Sequence, residues 1–361
     1  MRAQRLSIVW PLFVLALAAL WLLQSLGLWP SALTDLVSRV WPGLLIAVGL
    51  MLLIGRRVRF GNLLALVLCT AVIGGIAVAG FNQQASRVRT DNRKVFTQVI
   101  EPQITTVNIV VNTLNTQLTV IPDTSATINA EFTGSRDSRI TSDFQVDGAT
   151  GTFTLVETQT STFPSLEGLG RGTLKVTLPT GITVKQVSVS VIGSSGDITF
   201  DPTGTALTDV TVAMATGKAT FSAFPATLAT LSVKSIGDLE LGTLPASLTT
   251  LRATTGTGKI IFDATAASLK TMSIAASAGN VEAKLPEKSG LIGDIKAGGE
   301  VSVKVPPTIA ANVKLDGNAA NNPTYSQADY ILNKENILLS RRSNEPQLQL
   351  TIESGGRTTI Q

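Results

Sequence analysis

The stretch KSIGDLELGTLPASLTTLRATTGTGKIIF, residues 234–262, decides the fold, because it says the same thing twice. A glycine, Gly237 or Gly258, is followed by a polar residue and then by apolar residues two and four places on: Leu239 and Leu241, then Ile260 and Phe262. Working outward, the same phrase stands in GSSGDITF (193–200), MATGKATF (214–221), SAGNVEA (277–283) and AGGEVSV (297–303). The six glycines, Gly196, Gly217, Gly237, Gly258, Gly279 and Gly299, are 21, 20, 21, 21 and 20 residues apart. All twelve residues at the two apolar places are apolar in a chain that is 44% apolar. By chance that happens roughly once in twenty thousand trials.

A leucine recurs eleven places after the glycine in four copies, as Leu207, Leu228, Leu248 and Leu269. Ahead of the glycine runs a second alternating segment, with Val210 and Val212, Leu231 and Val233, Leu251 and Ala253, and Met272 and Ile274. In the two 20-residue spacings Val233 and Ile295 stand one place closer to the glycine, so a turn has shortened while the strands keep phase. A period of about 20 residues with two or three short strands predicts one coil of a β-solenoid, stacked at about 4.8 Å on the next with its period-2 apolar residues inward. Glycine at the corner accepts φ > 0, and its polar neighbour faces water. Weaker alternating stretches (TTVNIVVN, QLTVIP, GTFTLVE, TLKVTLP) extend the coils toward the N-terminus, and QLQLTIESGGRTTI at the end of the chain reads as one last coil.

The N-terminal quarter has a different texture. Three apolar segments, 8–28, 36–54 and 62–81, predict membrane-crossing helices, the third carrying no charge over Leu63–Phe81. The sequence thus divides into a transmembrane anchor (1–81), a polar juxtamembrane linker (82–96) and a β-solenoid domain (97–361). The expected fold class is all-β, a single-stranded β-solenoid of about 20-residue coils preceded by a three-helix transmembrane anchor. Charge follows the same division: residues 1–96 carry a net +8 and the rest a net −4, so the basic balance belongs to the membrane flanks and does not point to nucleic acid. Arg56, Arg57 and Arg59 crowd the short loop between the second and third segments. They favour a cytoplasmic N-terminus and hence an extracytoplasmic β domain.

The pairs Trp10-Pro11 and Trp41-Pro42, each opening an apolar run, resemble the transmembrane region of bacterial LiaI and LiaF-type envelope proteins. The alternating strands with glycine-aspartate corners over residues 100–361 are similar to the candidate-adhesin domains of the auto-transporter adhesin head type. These resemblances imply a multi-pass protein of the bacterial cell membrane. They imply as partners the lipid bilayer, envelope proteins or cell-surface glycans, and a membrane sensor kinase.

The chain has no histidine and one cysteine, Cys69, which lies in an apolar run. That excludes Ser-His and Cys-His nucleophiles and any intrachain disulfide. Asp197 and Asp238 at the corners invite a calcium reading, but the same corner is Lys218 and Lys259 in alternate coils, which suits solvated turns better. Asp238, Glu240, Glu282 and Glu300 do not group with a partner of distinct environment, as a polysaccharide-cleaving site requires. The glycine-rich GLGRG at 168–172 precedes a strand and lacks a phosphate-binding lysine and hydroxyl. Hydroxyl-rich faces such as TTLRATTGTGK (249–259) suit glycan contact or plain solubility. No catalytic, cofactor-binding or metal-binding residue is assigned and no cofactor is expected. The function expected is non-enzymatic, adhesion-like or envelope-sensing through partner proteins; the alternative is a surface-displayed polysaccharide-active β-helix enzyme.

Overall fold

The computed structural model describes residues 87–160, 170–180, 186–288, 290–321, 323–341 and 348–361. By contacts the chain divides into two compact units. The smaller unit is represented by a few described residues, among which the Arg171 N–H donates to the Arg87 carbonyl at 2.7 Å. The larger unit holds all the regular structure below.

Six strands come first: β1 (Asn92–Val99), β2 (Thr106–Asp123), β3 (Thr127–Gly134), β4 (Ser138–Asp147), β5 (Thr150–Gln159) and β6 (Gly172–Pro179). Six coils follow, each made of two strands: β7 (Gln186–Ser195) with β8 (Ile198–Phe200), β9 (Leu207–Met214) with β10 (Ala219–Phe221), and β11 (Thr230–Ser235) with β12 (Leu239–Thr243). The other three are β13 (Thr250–Thr255) with β14 (Ile260–Asp263), β15 (Thr271–Ala276) with β16 (Val281–Lys284), and β17 (Leu291–Ala297) with β18 (Val301–Lys304). The chain closes with β19 (Ala311–Gly317), a 3-10 turn at Asn318–Ala320, β20 (Thr324–Tyr325), β21 (Tyr330–Leu332), β22 (Ile337–Ser340), β23 (Leu348–Ser354) and β24 (Thr358–Ile360).

The first strands of the coils stack in parallel as one sheet, β7-β9-β11-β13-β15-β17, and the second strands as another, β8-β10-β12-β14-β16-β18. Register follows the sequence repeat, with Leu239 opposite Ile260 and Ile260 opposite Val281. The twelve apolar residues two and four places after the glycines are each at most 2% exposed, and so are the four recurring leucines. Alternate residues point inward because a strand has period 2, and burying each of the larger side chains, all but Ala219 and Ala283, contributes on the order of 2 kcal/mol.

A second corner, not foreseen from the sequence, leads into Leu207, Leu228 and Leu248 and into Ile309 with a proline, and into Leu269 with Ala264, whose carbonyl accepts the Ala267 N–H at 2.9 Å. The N–H of Thr205, Leu228, Leu248 and Ile309 donates to the carbonyl of Pro202, Pro225, Pro245 and Pro306 at 3.1–3.3 Å. The signal was present in DPTG, FPAT, LPAS and VPPT. Proline presets the φ such a turn uses, and it has no N–H for the stack to miss.

The corner glycines are required mainly by close approach. Gly196 and Gly217 have φ of 117° and 109°. Gly237, Gly258, Gly279 and Gly299 do not stand in the left-handed region, yet a Cβ on Gly237, Gly258 or Gly279 would overlap the backbone of the glycine one coil before it. The corner backbones are stacked so closely that only hydrogen fits between them.

Both ends of the stack are out of chain order. The 18-residue β2 runs through both sheets, between β5 and β7 in the first and between β6 and β8 in the second. Antiparallel pairs β4–β5 and β1–β3–β6 close that end. At the other end β23 lies between β17 and β19, and antiparallel β22 and β21 follow β19.

Two expectations are corrected. The fold class is not a β-solenoid behind a three-helix transmembrane anchor but an all-β, nearly closed stack of strands, in which the 3-10 turn at Asn318–Ala320 is the one helical element among the described residues. No helix among those residues is long and apolar enough to cross a membrane, against the multi-pass bacterial membrane placement with an extracytoplasmic domain. Physically, that region is built of short two-sided strands, whose alternate residues face water. The segments 8–28, 36–54 and 62–81, with the Trp-Pro pairs, Cys69 and most of the 82–96 linker, lie outside the described residues.

Several buried positions break the apolar rule, Thr116, Thr255 and Thr358 among them. Thr358 stacks on Val301, is 1% exposed, and its Oγ1 has no hydrogen-bond partner among the described residues. Thr358→Val keeps the shape and removes a dehydrated hydroxyl, so it is expected to raise stability by about 1 kcal/mol. Urea unfolding of the two chains checks this, and a lower midpoint for the valine variant would contradict it.

A hydroxyl-lined trough on the first sheet

Outward-facing residues of β13, β15 and β17 stand in two registered rows. Thr250, Thr271 and Ile292 form one, and Arg252, Ser273 and Asp294 the other. Between them lies a shallow depression of about 300 Å³, lined by these six side chains and by Leu251, Met272 and Gly293. Gly293 stands in register with Met272 and Leu251, whose side chains point into the core. A Cβ on Gly293 would come within 3.1 Å of Met272 Cβ, so Gly293 leaves the room that Met272 uses.

Within the trough the Thr271 hydroxyl donates to Thr250 Oγ1 at 3.2 Å, and the Ser273 hydroxyl to Asp294 Oδ2 at 3.1 Å. Asp294 is thereby aimed along its own row toward Ser273, and Arg252 is exposed on the strand beyond. Ile292 is 62% exposed and gives one wall an apolar surface. A guanidinium donor, a carboxylate acceptor, several hydroxyls and one apolar wall together match a polyol, which offers hydroxyls at its edges and C–H groups on its face. Hydroxyls continue the second row along the sheet at the strand spacing of about 4.8 Å, with Thr211 and Ser232 before Arg252 and Thr351 after Asp294.

The acids singled out in the sequence serve other ends. Asp197 Oδ1 accepts the Lys218 backbone N–H at 3.0 Å, Asp238 Oδ1 that of Lys259 at 2.8 Å, and Asn280 Oδ1 that of Glu300 at 2.8 Å. Each acid or amide at the corner thus caps the coil after it. On the second sheet Lys218 pairs with Glu240 at 2.7 Å, Lys259 with Glu282 at 2.8 Å, and Lys284 with Asp263 at 2.8 Å. The hydrogen bond to Glu240 holds the Lys218 ammonium above its ordinary range, and the bond to Asp263 does the same for Lys284. Partial burial pushes Asp263 upward, but hydrogen bonds from Lys284 and Thr265 outweigh it and hold the carboxyl below the ordinary range. Among the described residues no three His, Cys, Asp or Glu side chains stand close enough to hold a metal ion. Of the GLGRG stretch, Gly172 opens β6 where a Cβ would crowd Thr116 Oγ1 at 2.5 Å, a packing role.

The trough was partly legible. TTLRATTGTGK supplies Thr250 and Arg252, but Ser273, Ile292, Gly293 and Asp294 come from the next two coils and join it only through strand register.

A family model described as Toastrack DUF4097 matches residues 106–356. Three solved structures are similar. A candidate cell adhesion protein from Clostridium sporogenes shares 15% identity at a TM-score of 0.29, over 74% of this chain and 99% of that one. A candidate adhesin from Bacteroides fragilis shares 11% at 0.36, over 76% and 99%, and a candidate lipid binding protein from Parabacteroides distasonis 12% at 0.33, over 76% and 98%. No curated protein matches.

Proposed function

This chain belongs to the Toastrack DUF4097 family, and from that premise we propose that its β-solenoid is a non-enzymatic, adhesion-like scaffold that holds a glycan polymer against the first sheet. The observation that carries the reading is the registered pair of rows, Thr250-Thr271-Ile292 and Arg252-Ser273-Asp294, around one shallow trough. A polymer fits such a surface because contacts that are individually weak repeat along it, and their sum grows without any deep pocket.

The test is retention of the full chain on immobilised acidic and neutral polysaccharides. Arg252→Ala and Asp294→Asn are each expected to weaken retention by about tenfold, the loss of one charge-assisted hydrogen bond. Lys218→Ala, on the other sheet, is expected to leave it unchanged. Retention that is indifferent to Arg252 and Asp294 would sink the reading. Release of new sugar ends, abolished in Asp294→Asn, would replace a scaffold with a glycan-cleaving enzyme.

A further inference from the structure

In chain order β19 follows β18, yet it does not stack on β17. It stands two places away, and the gap is filled by β23 from the end of the chain. Leu348–Ser354 pair in parallel over seven positions with Leu291–Ala297 on one side and over seven with Ala311–Gly317 on the other. Thr358–Ile360 pair with Val301–Val303, and Thr359 and Ile360 also with Thr324 and Tyr325. Leu348, Leu350, Ile352 and Ile360 are at most 3% exposed, and the Asn318 side-chain amide donates to the Gly355 carbonyl at 2.8 Å.

The slot is therefore defined by residues 291–325 before the strand that fills it. With β23 and β24 withdrawn, β17 and β19 each present a full row of unpaired backbone groups, about two strand spacings apart. The occupant is the 14-residue segment Leu348–Gln361, which follows both edges of the slot in sequence and is held there by pairing on each side. A strand from a second copy makes the same bonds as the chain's own strand, so the two arrangements differ only in how the strand is tethered.

We propose that this slot is a strand-exchange site whose partner is the C-terminal segment Leu348–Gln361 of a second copy of this chain. Filling it in trans gives a dimer in which each copy completes the other's stack, and the fraction exchanged rises with concentration because the chain's own tail competes at a fixed effective concentration. This does not rest on the glycan reading: the trough lies on side chains of β13, β15 and β17, the slot on backbone edges of β17 and β19.

Lys296 and Glu353 supply the test. They face each other across the β17–β23 pair on the outer surface, Nζ to Oε2 at 3.1 Å, with both side chains more than half exposed. In a Cys69→Ser background, chains carrying Lys296→Cys or Glu353→Cys are mixed, unfolded, refolded together and oxidised. A covalent heterodimer is expected, at least tenfold above a mixture of Lys218→Cys with Glu353→Cys and growing with concentration. The double variant Lys296→Cys, Glu353→Cys controls for folding and register by closing its own disulfide at high dilution. If the double variant closes and the mixed single variants give no heterodimer above the control, the site is overturned.

Discussion

Gly279→Ala is expected to lower stability by on the order of 3 kcal/mol or more, and Gly258→Ala by a similar amount. The added methyl group has nowhere to go. On Gly279 it would overlap the carbonyl of Gly258, with Thr257 O next at 3.2 Å, and every one of these atoms is backbone. A flexible side chain swings aside; a stacked corner does not, because the hydrogen-bonded strands on both sides of it hold the coils at their spacing. Relief requires the corner to open, which breaks bonds such as Ala278 N–H to Gly256 O at 2.8 Å that tie one corner to the corner before it. The contrast is Gly290, which has φ of 98° but nothing within 4 Å of an added Cβ. Gly290→Ala is expected to cost only about 1 kcal/mol, the strain of a left-handed alanine. Guanidinium unfolding of the three variants checks the order. Equal losses at Gly279 and Gly290 would show that conformational freedom rather than close approach selects the corner glycines.

Deleting residues 348–361 is expected to melt the C-terminal end while the middle coils persist. The deletion removes Leu348, Leu350, Ile352 and Ile360, each worth about 2 kcal/mol of burial, and leaves β19 with only its antiparallel neighbour β22. In a stacked repeat each coil is stabilised by its own residues and its immediate neighbours, so the loss stays near the end where it is made. Hydrogen exchange should show β19 and β22 unprotected, β17 weakened, and β9 to β14 as in the full chain, with the midpoint of the first melting phase lower by about 10 °C. A single cooperative transition shifted as a whole would mean that the domain folds as one unit, and the nearest-neighbour picture would fail.

Two features show where reading residues succeeds. Val233 and Ile295 were placed one residue closer to their glycines on phase alone, and the registers Val233 with Val212 and Ile295 with Ile274 follow that phase. The inward places also match, because each coil sits in the same surroundings as the last and the apolar pattern repeats with it. The corner glycines show a partial success. Their positions were legible, but positive φ explains only Gly196 and Gly217; the rest answer to a neighbour 20 or 21 residues away. Likewise Asp197 and Asp238 read as solvated turn residues, and in the structure each accepts a backbone N–H of the following coil.

The glycine-centred coil of residues 234–262 was thus determined by the sequence itself: its period, its two alternating strands and its buried side. Each of those depends on contacts that recur with the repeat, so a local pattern carries them. Which strand lies beside which at the ends was decided only by tertiary structure. QLQLTIESGGRTTI has the pattern of any coil, and nothing within it says that it slips between β17 and β19 rather than stacking last. Parallel pairing satisfies the same backbone groups whatever the order of the strands. The order is therefore set by which edges remain open when the final strand arrives, and by the closed stack that results.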